Sequence, residues 1–120
     1  MIWAAAICGG GGALVRYLVT LAYAKRSKLP WAVFTVNVAG SAIGGATVGL
    51  ATTGAISHDV RLIVLGGVAG GLTTFSTWSV ETIQLLQERR LRTALVSVIL
   101  NLAIGLAAAT AGYLLATVLT

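Results

Sequence analysis

Carboxylates are nearly missing from this chain: Asp59, Glu81 and Glu88 are the whole inventory among 120 residues. None stands at the middle of an apolar segment. That argues against proton-coupled transport, which needs a titratable group embedded in the membrane. A single cysteine, Cys8, excludes an internal disulfide, and its alanine and glycine neighbours mark it as a small packing residue. The single histidine, His58, has no second histidine or cysteine beside it, so it offers no metal site. No nucleophile, base and orienting group recur at any spacing that chemistry would need, and an enzyme is not expected. Charge as a whole is scarce. Only 9% of residues are charged and 58% are hydrophobic, with a mean hydropathy of +0.95. That is far from a soluble globular composition, and the class is an integral membrane protein. The net charge of +5 fits membrane flanks better than nucleic acid on so apolar a chain. The N-terminus lacks the basic start of a secretory signal, so its apolar run reads as a retained first helix.

What is present is four apolar segments. A hydrocarbon core of about 30 Å takes roughly 20 residues of helix. Residues 2–24, 32–53, 62–86 and 93–119 meet that length, and the expectation is one all-α membrane domain over residues 1–120. Lys25, Arg26 and Lys28, closed by Pro30 and the interfacial Trp31, make the first loop. Gly54 to Arg61 read as a short polar loop, and Glu88, Arg89, Arg90 and Arg92 as the next one. The first and third loops carry six basic residues, and the opposite side has only Arg61. The positive-inside rule then places the basic loops in the cytoplasm and both termini outside. Gly40 and Gly44, Gly45 and Gly49, Gly66 and Gly70, and Gly67 and Gly71 are each four apart, the spacing at which helix backbones approach closely. Four such helices enclose little space alone, so an oligomer is expected.

The polar residues inside the spans are few and informative. The third span carries Gly70-Gly71-Leu72-Thr73-Thr74-Phe75-Ser76-Thr77-Trp78, glycines and hydroxyls where a lipid-facing helix would carry leucines. Loosened backbone survives in a bilayer only if it is buried in protein, lines a cavity or holds an ion. Arg16 lies eight residues before the end of its span, about 12 Å of helix, which is deep for a charge facing lipid. It reads either as the cation of a water-filled vestibule that attracts anions or as a donor to backbone carbonyls. Asn37 offers two donors and an acceptor, with Ser41 and Gly44 following on its face; it either meets a permeant ion or binds another helix. Ser97, Asn101 and Gly105 line up by fours on the last span. Donors without carboxylates suit an anion or water path better than a cation path.

These residues resemble the Fluc (CrcB) family of fluoride channels. The resemblance runs over the whole chain: Gly12-Ala13-Leu14-Val15-Arg16-Tyr17, then Thr35-Val36-Asn37-Val38-Ala39-Gly40-Ser41, then the third-span motif with Glu81 after it. It implies a four-helix subunit with a broken third helix, pairing with an inverted copy or homologue, located in the cell inner (plasma) membrane. It implies passive export of toxic cytoplasmic fluoride. Main-chain carbonyls of Gly70 and Thr73, from both subunits, would hold a structural sodium ion on the dimer axis. Asn37, Thr74, Phe75, Ser76, Trp78, Ser97 and Asn101 would line the pore, with Arg16 toward a vestibule. Neutral hydroxyls, amides and aromatic edges can replace fluoride's water without gripping it.

Three positions depart from the family. Trp78 stands where it usually has phenylalanine, and Ser97 and Asn101 stand where it commonly has tyrosine and then serine. The six-to-one loop charge favours one orientation of this chain, hence a heterodimer with an inverted partner. Two other readings are weighed: a non-conducting or partly conducting partner subunit, and a small multidrug or cation antiporter. The antiporter needs a carboxylate in the first span, where this chain has Arg16.

Overall fold

The computed structural model describes residues 2–23 and 31–120; of Tyr23 and Ser76 only the backbone is described. Lys25, Arg26, Lys28 and Pro30 of the first loop lie outside the described residues, as does Ala24, where the first span was expected to end. Helix α1 is Ile2–Tyr23, α2 Trp31–Thr52, α3 His58–Leu62, α4 Gly70–Leu72, α5 Phe75–Gln87 and α6 Leu91–Leu119. Between α3 and α4 runs a π-helical stretch, Ile63–Ala69. Four stretches are long and apolar enough to cross a membrane: Ile2–Ala22, Trp31–Thr52, His58–Gln87 and Leu91–Leu119. The chain is an all-α membrane protein.

Several boundaries differ from those expected, each for a local reason. The polar loop after α2 is shorter, because Ser57 accepts from the Val60 N–H at 3.2 Å and starts α3 at His58. Gly54 (φ 78°) closes α2: its N–H reaches Ala51 O at 3.2 Å, and the Ala55 N–H reaches Leu50 O at 2.9 Å. Arg89 (φ 58°) does the same after α5, with the Arg90 N–H on Leu85 O at 2.8 Å. That tight reversal lets α6 begin at Leu91, so Arg92 is helical rather than part of the loop. At 29 residues α6 is about 43 Å long, more than a straight crossing needs.

Glycine sets the packing. The α2–α6 pair is the most extensive, while α1 lies along the π-helical stretch and α4. A Cβ at Gly49 would lie 2.7 Å from Tyr113 O, and Gly45 and Gly112 sit harder still against Ala109 O and Ala42 O. On the other side, a Cβ at Gly67 would lie 2.7 Å from Ala5 O and 3.0 Å from Cys8 Cβ, so Cys8 is indeed a packing residue. Of the expected pairs, Gly45 with Gly49 and Gly67 with Gly71 make such approaches; Gly66 meets nothing. The buried apolar core is small (Val33, Val36, Ala69, Leu72, Leu85, Ala94, Ala116), and Trp3, Leu106 and Val118 are among many large apolar residues left exposed. Lipid or protein must cover these faces.

Candidate functional site

The third span breaks at two residues. Thr73 (φ −79°, ψ 157°) and Thr74 (φ −147°, ψ 117°) are extended, while Gly70 remains helical at φ −64°, ψ −37°. The break therefore lies at Thr73–Thr74 rather than starting at Gly70. Gly67 and Gly71 before it serve the close approach of α1, as Gly12 does from the α1 side, where a Cβ would lie 2.7 Å from Val68 O and 2.9 Å from Leu72 N. The π-helical turns carry no signal in the sequence. Across the break the span changes partners, from α1 and α2 before it to α6 after it.

Side chains take over where the helix ladder stops. The Thr74 N–H, which an unbroken helix would aim at Gly70 O, donates to Asn37 Oδ1 at 2.8 Å. Asn37 Nδ2 donates in turn to Thr74 O at 3.2 Å and to Asn101 Oδ1 at 3.3 Å. The Thr77 N–H, which would otherwise meet Thr73 O, donates to Thr74 Oγ1 at 3.1 Å and so caps α5. Arg16 Nη1 donates to Thr73 O at 3.2 Å. Gly40 makes room for this on α2, since a Cβ there would collide with Thr73 Cγ2. Its spacing from Asn37, with Ser41 next, is the sequence signal for the face of α2 that meets the break.

A cavity of about 290 Å³ opens at the break, lined by Asn37, Ser41, Thr73, Thr74, Phe75, Trp78, Asn101 and Leu102. Five of the expected pore residues thus converge: Asn37, Thr74, Phe75, Trp78 and Asn101. The Phe75 and Trp78 rings lie 5.5 Å apart at 59°, and Phe75 is 74% exposed in the single chain. Trp78 Nε1 is buried with no partner among the described residues. Ser97 does not line this cavity; it is buried inside the subunit, its Oγ unpartnered among the described residues. Ser76 belongs to α5, and its side chain is outside the described residues. Arg16 lines a second cavity of about 260 Å³ with Ala13, Tyr17, Thr20, Val33, Thr74 and Thr77. Of the two sequence readings of Arg16, the bond to a backbone carbonyl is present, and the same side chain also lines this cavity. Among the described residues no cluster of His, Cys, Asp or Glu could hold a metal ion.

Residues 3–113 match the family described as CrcB-like protein, Camphor Resistance (CrcB). Among curated relatives, the fluoride-specific ion channel FluC 2 of Mycobacterium tuberculosis is 36% identical over 114 residues, 93% of this chain and 87% of the relative. The fluoride-specific ion channel FluC of Flavobacterium psychrophilum is 37% identical over 114 residues, 92% of each. FluC 1 of Thermobifida fusca is 40% identical over 103 residues, 84% of this chain and 82% of the relative. With such coverage and the break motif in place, the chain belongs to the CrcB family.

Proposed function

We propose that this chain is a subunit of a fluoride-selective channel, a multi-pass protein of the cell inner (plasma) membrane that lets toxic cytoplasmic fluoride leave passively, and not an enzyme. The observation that carries the reading is the cavity at the broken third span. It brings amides, hydroxyls and two aromatic rings together and has no carboxylate in its wall. Fluoride is small, strongly hydrated and a strong acceptor, so a path for it must offer donors and ring edges without a fixed charge that would trap it. The relatives' names support the same substrate.

The working unit is a pair of inverted subunits. Phe75 is too exposed to be a finished pore wall in one chain, and the apolar faces left open leave area for a partner. The six-to-one loop charge favours a single orientation of this chain, so the partner is a homologous subunit of opposite orientation. Numbered names such as FluC 1 and FluC 2 among the relatives fit organisms with more than one such subunit. A structural sodium ion suits the break in kind. Gly70 O and Thr73 O have lost their helical donors to Asn37 and Thr74, and hard cations take oxygen ligands. Those two carbonyls would hold it, with a second pair from the partner; Thr73 O also accepts from Arg16 Nη1, so it would offer the ion its second lone pair.

Fluoride efflux from liposomes tests the reading, first with the purified chain and then with a homologous partner added. Release with the partner and little without it is the expected result. No fluoride-dependent release in either preparation overturns the channel. A second reading is favoured by Trp78, whose bulk in the cavity fits a subunit that walls one pore and closes the other. Release through the pair at half the two-pore rate, lost when the partner's own pore is mutated, would select it.

A further inference from the structure

Both ends of the Asn37 amide are engaged within the chain, Oδ1 by one donor and Nδ2 by two acceptors, and the main chain dictates the order. The Thr74 N–H can only donate, so the atom 2.8 Å away must be Oδ1. Nδ2 then faces Thr74 O at 3.2 Å with one hydrogen and Asn101 Oδ1 at 3.3 Å with the other. Asn101 must therefore turn its own Nδ2 the other way, where it donates to Ser97 O one turn back at 2.8 Å. The result is a directional relay: a main-chain carbonyl of α6, two side-chain amides, and the peptide of Thr74. Flipping Asn101 would set donor against donor at Asn37 and acceptor against acceptor at Ser97 O.

We infer that Asn101 is a positioning residue: it braces the Asn37 amide, and through it keeps the Thr74 peptide turned away from the helix ladder. Without an acceptor at residue 101, one Asn37 hydrogen loses its partner at the edge of the cavity. A half-buried donor in that state seeks another acceptor, and leaving the Thr74 pairing is its way to one. The break is then loosened, and α5 loses its tie to α6 at the point where the span changes partners. The bearing of this relay on conduction rests on the channel reading above; its bearing on the helix break does not. Sequence spacing alone could not reveal the pairing, because Asn37 and Asn101 are 64 positions apart.

Amide hydrogen exchange of the full chain in detergent micelles tests the relay locally. Asn101→Leu keeps the branched shape in a somewhat bulkier side chain and removes both hydrogen-bonding ends. Exchange at the Thr74 and Thr77 amides should rise about tenfold, the change that about 1.4 kcal/mol of lost protection gives, while the α2–α6 seam keeps its protection. Asn101→Asp keeps an acceptor for Asn37 and should hold protection near that of the unmutated chain, most fully at low pH, where the neutral carboxylic acid also donates to Ser97 O. Unchanged exchange at Thr74 in Asn101→Leu overturns the inference. So does an equal rise over all helices, which would make Asn101 a general packing residue. If the leucine variant does not fold, Asn101→Ser, too short to reach Asn37, supplies the same comparison. Fluoride efflux of the unmutated chain with its partner is measured alongside. Its failure would remove the channel reading and leave the exchange comparison standing.

Discussion

Arg16 and Thr73, 57 positions apart, are joined by a hydrogen bond of 3.2 Å from the guanidinium to the main-chain oxygen at the helix break. A continuous helix would have used that oxygen for the Thr77 N–H, which is instead turned to Thr74 Oγ1. The only charge inside the first span is thereby stabilised by a carbonyl that the third span has released, so the two irregularities satisfy each other. Arg16 also lines the pocket with Tyr17, Thr20 and Thr77; on the proposed channel function, its positive charge there would gather anions.

Replacing Arg16 separates the bond from the charge. Arg16→Met should lower the melting temperature, as expected for a lost bond of about 1 kcal/mol, and cut fluoride efflux roughly tenfold. Arg16→Lys keeps the charge on a flexible stem and should retain most of the efflux while losing the planar contact. Efflux of the unmutated channel should also fall with ionic strength, while that of Arg16→Met stays flat, because screening acts only on the charge. Equal efflux for the lysine and methionine variants would remove the charge from the mechanism.

Phe75 offers the cleanest separation of flux from folding. It is 74% exposed in the subunit and touches Trp78 as its one ring partner among the described residues, so the fold hardly depends on it. Phe75→Ile keeps an apolar side chain and removes the ring edge that an anion can approach. Efflux should be abolished, with an unchanged melting temperature and elution volume of the detergent-solubilised protein. Undiminished efflux would take Phe75 out of the pore.

The glycines divide into two groups that substitution should tell apart. Gly49→Ala drives a methyl to 2.7 Å from Tyr113 O and 2.9 Å from Ala116 Cβ, and should destabilise the subunit by about 1–3 kcal/mol. Gly10→Ala meets nothing within 4 Å and should stabilise α1 by about 0.5–1 kcal/mol through backbone entropy. Thermal unfolding of the two variants in detergent checks the sign of each.

The four spans are readable because a bilayer demands length and apolarity, and residues such as Gly54 and Pro30 punctuate them openly. The break was readable in outline from Gly70 to Trp78, but its place was not. Glycine there signals either a loosened backbone or a close neighbour, and only the path of α1 over Gly71 decides for the neighbour. The π-helical turns at Ile63–Ala69 had no signal, since their residues suit an ordinary helix equally well. Asn37 and Asn101 were each recognisable as polar residues in apolar spans. Their pairing depends on how α2 lies along α6, and that is a property of the packed seam. Ser97 shows the limit of spacing arguments. It shares a stripe with Asn101, yet it is buried inside the subunit instead of lining the cavity.

Trp78 stands where the family resemblance implies phenylalanine, and its indole N–H carries a cost in the single chain. Nε1 is buried without a partner among the described residues, and an unsatisfied donor of this kind is worth about 1–3 kcal/mol of lost stability. Trp78→Phe removes that donor and some apolar area together, so the two changes offset and the melting temperature should hold or rise. The smaller ring also widens the cavity that Trp78 shares with Phe75 and Asn101. Efflux through the chain paired with its partner should therefore increase, up to twofold if the pore walled by Trp78 is closed in the unmutated pair. A fall in efflux at preserved stability would instead make the indole N–H a donor that the passing ion uses. Measuring both quantities on the same preparation separates an obstruction from a ligand.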